Sequence, residues 1–583
     1  MTTKKNTKAK KTIKPTANGW RFYAVLGLIC SVYFSIMARA AYIQVIEPEG
    51  LISRGDNTTI RNAAKASHRA SILDRNGVEL AVSVPVQTVW ADPKVVIDQG
   101  GLDKTRRLNA LADVLGLELN TLKERIGTNP KKRFRYLARH ISPSMANYIK
   151  ELKIPGIYLR KESKRFYPSA EISAHLVGFT DVDDRGIEGL ERLFDKQLTG
   201  KSGQKKYRKD AKGRRIEILE ETEAEQPQDV MLSVDQRIQA LAYRELKSAI
   251  KSFKAVSGSA VVVDVDSGEI LAMVNGPSYN PNNRRGVAPH RFRNRAITDI
   301  FEPGSTMKPL TVLTALEFGS VSKDAVVNTS PGWMTLGGRR VSDPRNYGKL
   351  SLSEVLQKSS NMGTSRLALE LPKDFFLGKF FEMGFSEDTG SGLIGESSGM
   401  LSDRYRWSQH ELASLSYGYG LAISPLQLAR FYATIGNGGI KKPLTVLKDA
   451  PLSAGERVLS KNNSQAVLNM LEDVVSEGGG YRAKVEGYRV AGKTGTAVKP
   501  AAGGGYGNDY VGIFAGVAPV SDPKLAVVVV INEPGGDLYH GGEVAAPVFS
   551  KIMAGSLQYL NIAPDDESLT QYTSIKQVGD NDA

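Results

Sequence analysis

The feature that most constrains this chain is an uncharged, mostly apolar stretch, Phe22–Ala38, and the apolar pattern continues after Arg39 to Val45. A bilayer core needs about 20 helical residues, and an arginine near the far interface can extend its charge into water. We therefore predict a transmembrane anchor over residues 20–45. The alternative is a cleaved signal peptide, since Ala38-Arg39-Ala40 has the small-x-small pattern of a cleavage site. The apolar run is longer than a usual signal peptide, which favours the anchor.

The charge distribution predicts an orientation for this anchor. The formal net charge is +15, and seven Lys or Arg residues but no acid lie in the first 21 residues. Because basic segments stay inside, we expect residues 1–19 to form a cytoplasmic basic tail. Everything after Val45 then lies outside, which is the periplasm of a bacterium with two membranes. We found no basic surface interleaved with aromatic residues, so we do not expect nucleic-acid binding.

Cysteine and histidine usage gives no indication of a cofactor. Cys30 is the only cysteine, so no intrachain disulfide can form. The six histidines are far apart and lack metal-ligand spacing. Residues 181–192 resemble a calcium loop, but Arg185 and Arg192 stand where oxygen ligands are required. We predict no metal and no other cofactor, and a turn before a helix at this loop.

The first half of the chain outside the membrane is polar and irregular. Residues 69–81 predict a strand, a turn at Asn76-Gly77 and a second strand. Residues 103–152 are charged and predict helices. Residues 201–215 are very basic and residues 217–229 are acidic. We interpret this charge change as a domain boundary, in a charged hinge without strand character, and assign residues 46–228 to one non-catalytic region.

The second half, residues 229–562, predicts an α+β domain. Residues 232–254 have the spacing of an amphipathic helix. The runs 259–265 and 269–274 predict a hairpin, and 510–517 with 525–531 predict a second strand pair. Hairpins at both ends with helices between them indicate an antiparallel sheet covered by helices. The acidic, polar segment 563–583 predicts a disordered tail.

One short motif in this half brings a serine and a lysine to the start of a predicted helix. Pro303-Gly304 breaks the preceding chain, and residues 310–319 have apolar residues at helical spacing with a final glycine. Ser305 and Lys308 are three residues apart, so they share a helix face. A serine in the first turn also lies among unpaired backbone N–H groups. This arrangement is suited to a nucleophile and its base.

Two further motifs distinguish this serine–lysine pair from others at the same spacing, such as Ser320/Lys323 and Ser521/Lys524. Ser359-Ser360-Asn361 begins 54 residues after Ser305, and Lys493-Thr494-Gly495-Thr496 begins 134 residues further on. Residues 487–494 also match the nucleotide-binding P-loop pattern. That pattern requires a following helix, which the glycine-rich residues 495–505 cannot begin.

These three motifs resemble those of the penicillin-binding proteins and serine β-lactamases. The resemblance to class B penicillin-binding proteins extends from Trp20 to about Ile562, and within that class it is greatest to the septal transpeptidases of cell division. Ser360 departs from the pattern, since many relatives carry Asp there. Further matching segments are Ile72–Gly77, Gly186–Glu191, Asn294-Arg295-Ala296 and Tyr417–Gly420.

The resemblance implies a membrane-anchored, elongated, β-rich pedestal of the dimerisation type over 46–228. A transpeptidase domain with a serine β-lactamase-like fold follows over 229–562. The implied reaction is peptidoglycan cross-linking, with release of D-alanine. The implied partners are stem peptides with a D-Ala-D-Ala donor and an amine acceptor, β-lactams, the cell membrane, a septal glycan polymerase of the FtsW type and other divisome proteins.

The resemblance also assigns roles to the motif residues. Ser305 forms the acyl-enzyme, Lys308 is its base, Ser359 relays a proton and Asn361 holds the lysine and the substrate amide. Lys493, Thr494 and Thr496 bind the substrate carboxylate, and Gly495 lets substrate backbone approach. The N–H groups of Ser305 and Thr496 form the oxyanion hole. A lysine has an ordinary pKa of about 10.4, so Lys308 can serve as a base only if burial or a second cation lowers its pKa.

Three other functions remain open from the sequence. An elongation-type class B transpeptidase shares all of these motifs. A β-lactamase also needs a group that hydrolyses the acyl-enzyme, and no such glutamate can be identified from the sequence. A periplasmic β-lactam-sensing or scaffold protein is the non-enzymatic alternative.

Overall fold

The computed structural model describes residues 2, 19–46, 48–64, 68–200, 204–210, 215–222, 225–448, 450–451, 453–500, 503 and 505–566. Nearly all of the predicted basic tail, and the predicted disordered tail beyond residue 566, lie outside the described residues.

The strands in chain order are β1 (Ile60–Ala64), β2 (Ile72–Leu73), β3 (Glu79–Ala91), β4 (Arg135–Ile141), β5 (Ile157–Phe166), β6 (Phe179–Thr180), β7 (Gly186–Glu188), β8 (Gln204–Lys209), β9 (Arg215–Glu221), β10 (Val230–Met231), β11 (Ser257–Asp264), β12 (Ile270–Gly276), β13 (Val326–Asn328), β14 (Trp333–Leu336), β15 (Arg339–Ser342), β16 (Lys349–Ser351), β17 (Met400–Leu401), β18 (Leu421–Ala422), β19 (Ile440–Lys441), β20 (Glu456–Arg457), β21 (Ala491–Pro500), β22 (Tyr506–Ala518) and β23 (Leu525–Asn532).

The α-helices are α1 (Gly19–Ala41), α2 (Pro48–Thr59), α3 (Pro93–Asp98), α4 (Thr105–Leu115), α5 (Leu119–Gly127), α6 (Pro143–Glu151), α7 (Ala174–Val177), α8 (Gly189–Leu193), α9 (Asp195–Thr199), α10 (Gln236–Ser252), α11 (Arg295–Thr298), α12 (Lys308–Phe318), α13 (Leu352–Gln357), α14 (Asn361–Leu369), α15 (Lys373–Glu382), α16 (Gln409–Ser416), α17 (Pro425–Gly436), α18 (Lys461–Ser476), α19 (Gly541–Val544) and α20 (Ala546–Tyr559).

The chain divides into two compact units, of which the first comprises residues 1–67 and 201–226. Its helix α1 continues into a π-helical turn, Tyr42–Ile46, and none of the residues of α1 is buried. Within the described residues, one helical segment, Gly19–Ile46, is long and apolar enough to cross a membrane, with a mean hydropathy of 1.8. This segment coincides with the predicted anchor.

The first unit also contains a three-stranded sheet in the order β1-β8-β9. Its hairpin β8–β9 occupies the region that we expected to be a charged hinge without strands, so that expectation is wrong. The charge change has a structural cause, because basic residues on β8 face acidic residues on β9. Lys206 Nζ lies 3.7 Å from a Glu220 carboxylate oxygen, and Arg208 Nη1 lies 3.4 Å from Glu217.

The second unit comprises residues 68–200 and 227–583. Its first sheet has the order β10-β2-β3-β4, with β5 on the other side of β3. The hairpin β2–β3 confirms the turn predicted at Asn76-Gly77. Helices α3 to α6 lie within the predicted helical region 103–152 or beside it, but β4 interrupts that region. There the prediction is wrong, because residues 135–141 pair with β3 as an antiparallel strand that buries Leu137 and Ile141.

A buried charge cluster joins the ends of this first sheet to α8 and α9. The carboxylate of Glu191 accepts hydrogen bonds from Arg69 Nε at 2.7 Å and from Arg165 Nε at 2.6 Å. Arg69 also donates to Asp195 at 2.6 Å. The turn predicted before a helix at residues 181–192 is confirmed by α8, whose Glu191 supplies the centre of this cluster.

The central sheet of the second unit is antiparallel, with the order β12-β11-β23-β22-β21. Alternate residues of β23 enter different cores. Val528 and Val530 belong to the core that includes α12 and α17, and Val527 and Val529 belong to the core that includes α10 and α20. The predicted helix-covered antiparallel sheet is confirmed, and its faces position the site described next.

Candidate active site

Ser305 lies in a turn of 3-10 helix, Gly304–Met307, that leads directly into α12. The turn is fixed by hydrogen bonds on several sides. Gly304 N–H donates to Gly418 O at 3.1 Å, and the buried Tyr432 hydroxyl donates to Thr306 O at 3.0 Å. Ser305 itself is half-buried. A backbone that is fixed in this way presents a partly accessible serine just before the helix.

Lys308 begins α12 and its side chain is fully buried. Its Nζ atom donates to Ser359 Oγ at 3.0 Å and to the Ser359 backbone carbonyl. The structure thus brings together the first and second predicted motifs through one side chain.

Ser359 has a left-handed backbone conformation, with φ of +53°. It follows α13, where Ser359 N–H donates to Leu356 O at 3.1 Å and Ser360 N–H donates to Val355 O at 2.9 Å. This is the hydrogen-bond pattern of a Schellman motif, in which glycine usually takes the left-handed position. A serine there costs roughly 1–2 kcal/mol. The strained residue directs both its hydroxyl and its carbonyl at Lys308.

Ser360 has a different role from its neighbour. Its hydroxyl accepts from Gly363 N–H at 2.9 Å and so caps α14. The same hydroxyl donates to Asp343 Oδ2 at 2.5 Å, and Asp343 Oδ1 accepts from Met362 N–H at 3.0 Å. Asp343 is buried. Sequence reasoning missed this carboxylate, because an acid in the loop after β15 has no distinctive spacing.

Asn361 is the first residue of α14 and is half-buried. Its Nδ2 donates to Ser342 O at 3.2 Å. Among the described residues, no hydrogen bond joins it to Lys308. The amide side chain is therefore fixed to the end of β15 in this structure.

Lys493, Thr494 and Thr496 lie on β21, at the edge of the central sheet. Lys493 is buried, and its Nζ donates to Thr494 O at 3.3 Å and Oγ1 at 3.4 Å. Thr494 and Thr496 are half-buried, and Thr496 Oγ1 accepts from Gly541 N–H at 3.1 Å. A strand runs through Lys493-Thr494 where a P-loop would begin a helix, so the nucleotide-binding alternative fails its structural requirement.

Gly495 allows β21 to lie against the turn that carries Ser305. A Cβ atom at Gly495 would lie 2.8 Å from Thr306 Cγ2 and 3.0 Å from Pro303 O. The sequence analysis assigned this glycine to the approach of substrate backbone. The structure shows that the chain itself fills the space of its missing side chain, so Gly495 couples the third motif to the first.

Burial lowers the pKa values of both lysines, and charged neighbours act in addition on Lys308. Burial lowers the pKa of Lys308 well below its ordinary range, nearby Lys493 lowers it further and Asp343 opposes this. Burial alone lowers the pKa of Lys493 to about 7. A positive charge on one of two adjacent buried amines disfavours protonation of the other. Lys308 can therefore remain neutral beside Lys493.

A second carboxylate missed by the sequence analysis lies three residues before Ser305. Glu302 Oε1 accepts from Gly420 N–H at 2.9 Å and from the Tyr506 hydroxyl at 3.4 Å. Burial raises the pKa of this carboxyl group. Tyr506 packs on Tyr419 with ring centroids 5.6 Å apart. The segment Tyr417–Gly420 is thereby attached to the turn of the nucleophile.

Comparison with known proteins identifies the class to which this fold and site belong. Residues 258–554 match the family described as the penicillin binding protein transpeptidase domain, and residues 64–232 match the penicillin-binding protein dimerisation domain. The chain belongs to the penicillin-binding proteins that combine these two domains.

Its relatives specify the kind of penicillin-binding protein further. The chain is 49% identical over 565 residues to the peptidoglycan D,D-transpeptidase FtsI of Escherichia coli strain K12, covering 96% of each chain. It is 41% identical over 552 residues to the probable peptidoglycan D,D-transpeptidase PbpC of Pseudomonas aeruginosa, covering 94% of this chain and 96% of that one. Close homologues of this chain are thus peptidoglycan D,D-transpeptidases.

Solved structures share the fold. Penicillin binding protein 3 of Mycobacterium tuberculosis, complexed with aztreonam, is 26% identical with a TM-score of 0.67, over 86% of this chain and 98% of that one. The transpeptidase domain of Burkholderia pseudomallei penicillin-binding protein 3 is 39% identical with a TM-score of 0.53, over 57% of this chain and 97% of that one.

Proposed function

We propose that this chain is a peptidoglycan D,D-transpeptidase that cross-links stem peptides at the division septum through an acyl-enzyme on Ser305. The observation that carries the proposal is the buried Lys308, whose amine is held by the carbonyl and hydroxyl oxygens of Ser359. It lies one helical turn after a half-buried serine. The homology to FtsI supports the substrate class and the role in division.

The first step is attack by Ser305 Oγ on the carbonyl carbon of the donor's terminal D-Ala-D-Ala. A neutral lysine amine has two N–H donors and one lone pair. Ser359 accepts from both donors, so the lone pair is available for the Ser305 proton. The new C–O bond gives a tetrahedral oxyanion, and the C–N bond to the last D-alanine breaks only once that nitrogen is protonated.

The leaving amine then needs a proton. The Ser359 hydroxyl can relay it, because it already bonds to Lys308 Nζ. Release of D-alanine leaves the acyl-enzyme. An amine of a second stem peptide attacks this ester, loses its proton through the same groups and restores Ser305. The chemistry is balanced without a cofactor.

The groups on β21 suit the donor's carboxylate and the oxyanion. Lys493 and the Thr494 and Thr496 hydroxyls offer a cation and two donors beside the nucleophile's turn. An anion bound there would raise the pKa of Lys493 and make it cationic. The N–H groups of Ser305 and Thr496 are assigned to the oxyanion hole, a contribution of about 3 kcal/mol per donor. Asn361 is assigned to the substrate amide.

The same chemistry makes the chain a target of β-lactams, whose amide carbonyl would acylate Ser305 in place of the donor peptide. We assign residues 20–45 to a single-pass inner-membrane anchor, with residues 1–19 cytoplasmic and the catalytic domain periplasmic. The assigned divisions are a 46–228 pedestal and a 229–562 transpeptidase domain. An FtsW-type septal glycan polymerase and other divisome proteins are the proposed partners.

Covalent labelling with a fluorescent penicillin tests the nucleophile. Ser305→Ala should abolish labelling, while Ser521→Ala, in a second serine–lysine pair on an exposed loop, should label like the wild type. Undiminished labelling of Ser305→Ala would refute the assignment.

Two further measurements separate the proposed function from its alternatives. Incubation with a donor stem peptide and an amine acceptor should release D-alanine and form a cross-link. Rapid hydrolysis of the penicillin adduct would favour a β-lactamase, and labelling without any cross-link would favour a sensor. Depletion should give filaments, whereas spheres would favour the elongation role.

A further inference from the structure

Strand β5 is an edge strand whose outer side is open. It pairs along its whole length with β3, and within the described part of the chain no other strand pairs with it. Over residues 157–161, alternate backbone N–H and C=O groups therefore point away from β3, and of these the Ile157 N–H already donates to Ile154 O at 3.2 Å. An uncovered edge of this kind can accept an additional strand.

A groove of about 460 Å³ lies between this edge and helix α6. Ile157 and Leu159 line it from β5, and Ala146 and Ile149 line it from α6. Ala146 and Ile149 are each only 3% exposed, so the groove has a firm apolar floor. An edge strand beside a helix, with an apolar groove between them, can hold an extended peptide.

The rim of the groove is basic. Lys150, Lys153 and Lys161 line it, and its lining includes no acidic residue. Throughout the structure's described ranges, none of these three lysines forms a salt bridge. Residues 131–166 as a whole contain eleven Lys or Arg and two Glu. The groove thus carries positive charge that its own unit leaves uncompensated.

Lysines on an edge strand can also serve only to prevent aggregation. That explanation accounts for Lys161 and Lys164, which lie on β5. It does not account for Lys150 and Lys153, which lie on or after α6, or for the apolar floor between the two elements.

We propose that the groove between β5 and α6 binds an extended acidic segment of a partner protein as an added strand. Ile157, Leu159 and Lys161 are at alternate positions and share the groove face of β5. A paired strand would place an apolar side chain over Leu159 and acidic side chains near Lys161 and Lys153. The matching segment is therefore acidic–x–apolar–x–acidic, a pattern that reads the same in both strand directions. This site is separate from the proposed catalytic function.

The test uses the full chain in detergent and a fluorescent peptide, Thr-Glu-Thr-Val-Thr-Glu-Thr. Fluorescence anisotropy should show saturable binding of this peptide. A peptide with Lys in place of both Glu residues, and one with Pro in place of the two central Thr residues, should bind at least tenfold more weakly. Hydrogen exchange should show new protection of the amides of Leu159 and Lys161 when the first peptide binds.

Variants locate the binding. The double change Lys150→Glu and Lys161→Glu should weaken binding at least tenfold. The matched control Lys164→Glu, on the same strand but the opposite face, should leave binding unchanged. Both proteins should label normally with fluorescent penicillin, which shows that they are folded and keeps this test independent of the catalytic proposal.

Several results would overturn the proposal. These are no binding of the acidic peptide, equal binding of the Lys peptide, or binding without protection of Leu159 and Lys161. Self-association of the chain that the Lys150→Glu and Lys161→Glu changes abolish, without peptide binding, would instead assign the groove to a second copy.

Discussion

The Nζ atom of Lys308 lies 3.0 Å from Oγ of Ser359, a serine held in the left-handed conformation at φ +53°. The amine of the proposed base is therefore oriented by a residue whose backbone is strained. Strain at such a position persists because the surrounding structure enforces it. Position 359 can consequently be altered in two ways that separate stability from activity.

Ser359→Gly and Ser359→Ala should differ in stability but agree in activity. Both lose the hydroxyl, so both should acylate with penicillin about 10²–10⁴-fold more slowly. Glycine relieves the left-handed strain and alanine does not, so the free energy of unfolding should be about 1 kcal/mol higher for Ser359→Gly. Urea unfolding and stopped-flow labelling measure the two quantities. Equal stabilities would show that the backbone is not strained.

Asp343→Asn should shift the pH dependence of acylation toward acid. The Asp343 carboxylate raises the pKa of Lys308 against burial and Lys493. Removing its charge should lower that pKa, so the acidic limb of the acylation rate should move to lower pH. Asp522→Asn, which changes an exposed acid, should leave the limb in place. A shift toward alkaline pH would contradict the electrostatic role of Asp343.

Lys493→Met should remove a pH-dependent component of stability. Burial lowers the pKa of Lys493 from 10.5 to about 7, so the unfolded chain binds more protons between these values. Stability from this group therefore rises with pH through the window from pH 7 to 10.5, with a slope of up to about 1.4 kcal/mol per pH unit. Urea unfolding of both proteins at pH 7, 8 and 9 should show that the stability of the wild type relative to the variant rises with pH. A constant difference would mean that Lys493 titrates normally.

Gly495→Ala should impair acylation by displacing the turn of the nucleophile. Its new Cβ would lie 2.8 Å from Thr306 Cγ2, so the turn must move by several tenths of an ångström. Such a displacement should slow acylation by about tenfold to a hundredfold. Adding Thr306→Ser, which removes that methyl group, should restore part of the rate. Gly479→Ala, with open space around it, is the control, and an unaffected Gly495→Ala rate would refute the coupling.

The strands of the central sheet could be predicted because each has a recognisable strand or turn pattern in its own residues. The run Leu525–Asn532 is almost entirely apolar and β-branched, and Asp266-Ser267-Gly268 marks a turn. The strand β4 could not be predicted in the same way. Its basic residues resemble those of the adjacent helices, its buried residues Leu137 and Ile141 have a spacing that also fits a helix, and only its pairing with β3 makes it a strand. The hairpin β8–β9 was not predicted because its basic and acidic residues pair with each other across the two strands. In the sequence the same residues form two successive runs of opposite charge, which we interpreted as a hinge.

The motif residues could be found from spacing, but their electrostatics could not. Nothing local to Lys308 indicates complete burial, because that depends on Ser359 and on the packing of α12 against α14 and α18. Asp343 likewise belongs to no recognisable sequence motif, although its carboxylate opposes the lowering of the Lys308 pKa. The left-handed Ser359 is also unexpected, since glycine is the residue that such a position usually contains.

The contact between Ser360 and Asp343 constrains which side chain can occupy position 360. Aspartate at position 360 would still cap α14, but it would place a second carboxylate against Asp343 in a buried setting. Two such groups disfavour each other's charge, and a proton shared between them would alter the field at Lys308. Loss of the charge at position 343 would remove this conflict. Serine at position 360 instead leaves the Asp343 carboxylate to raise the pKa of Lys308.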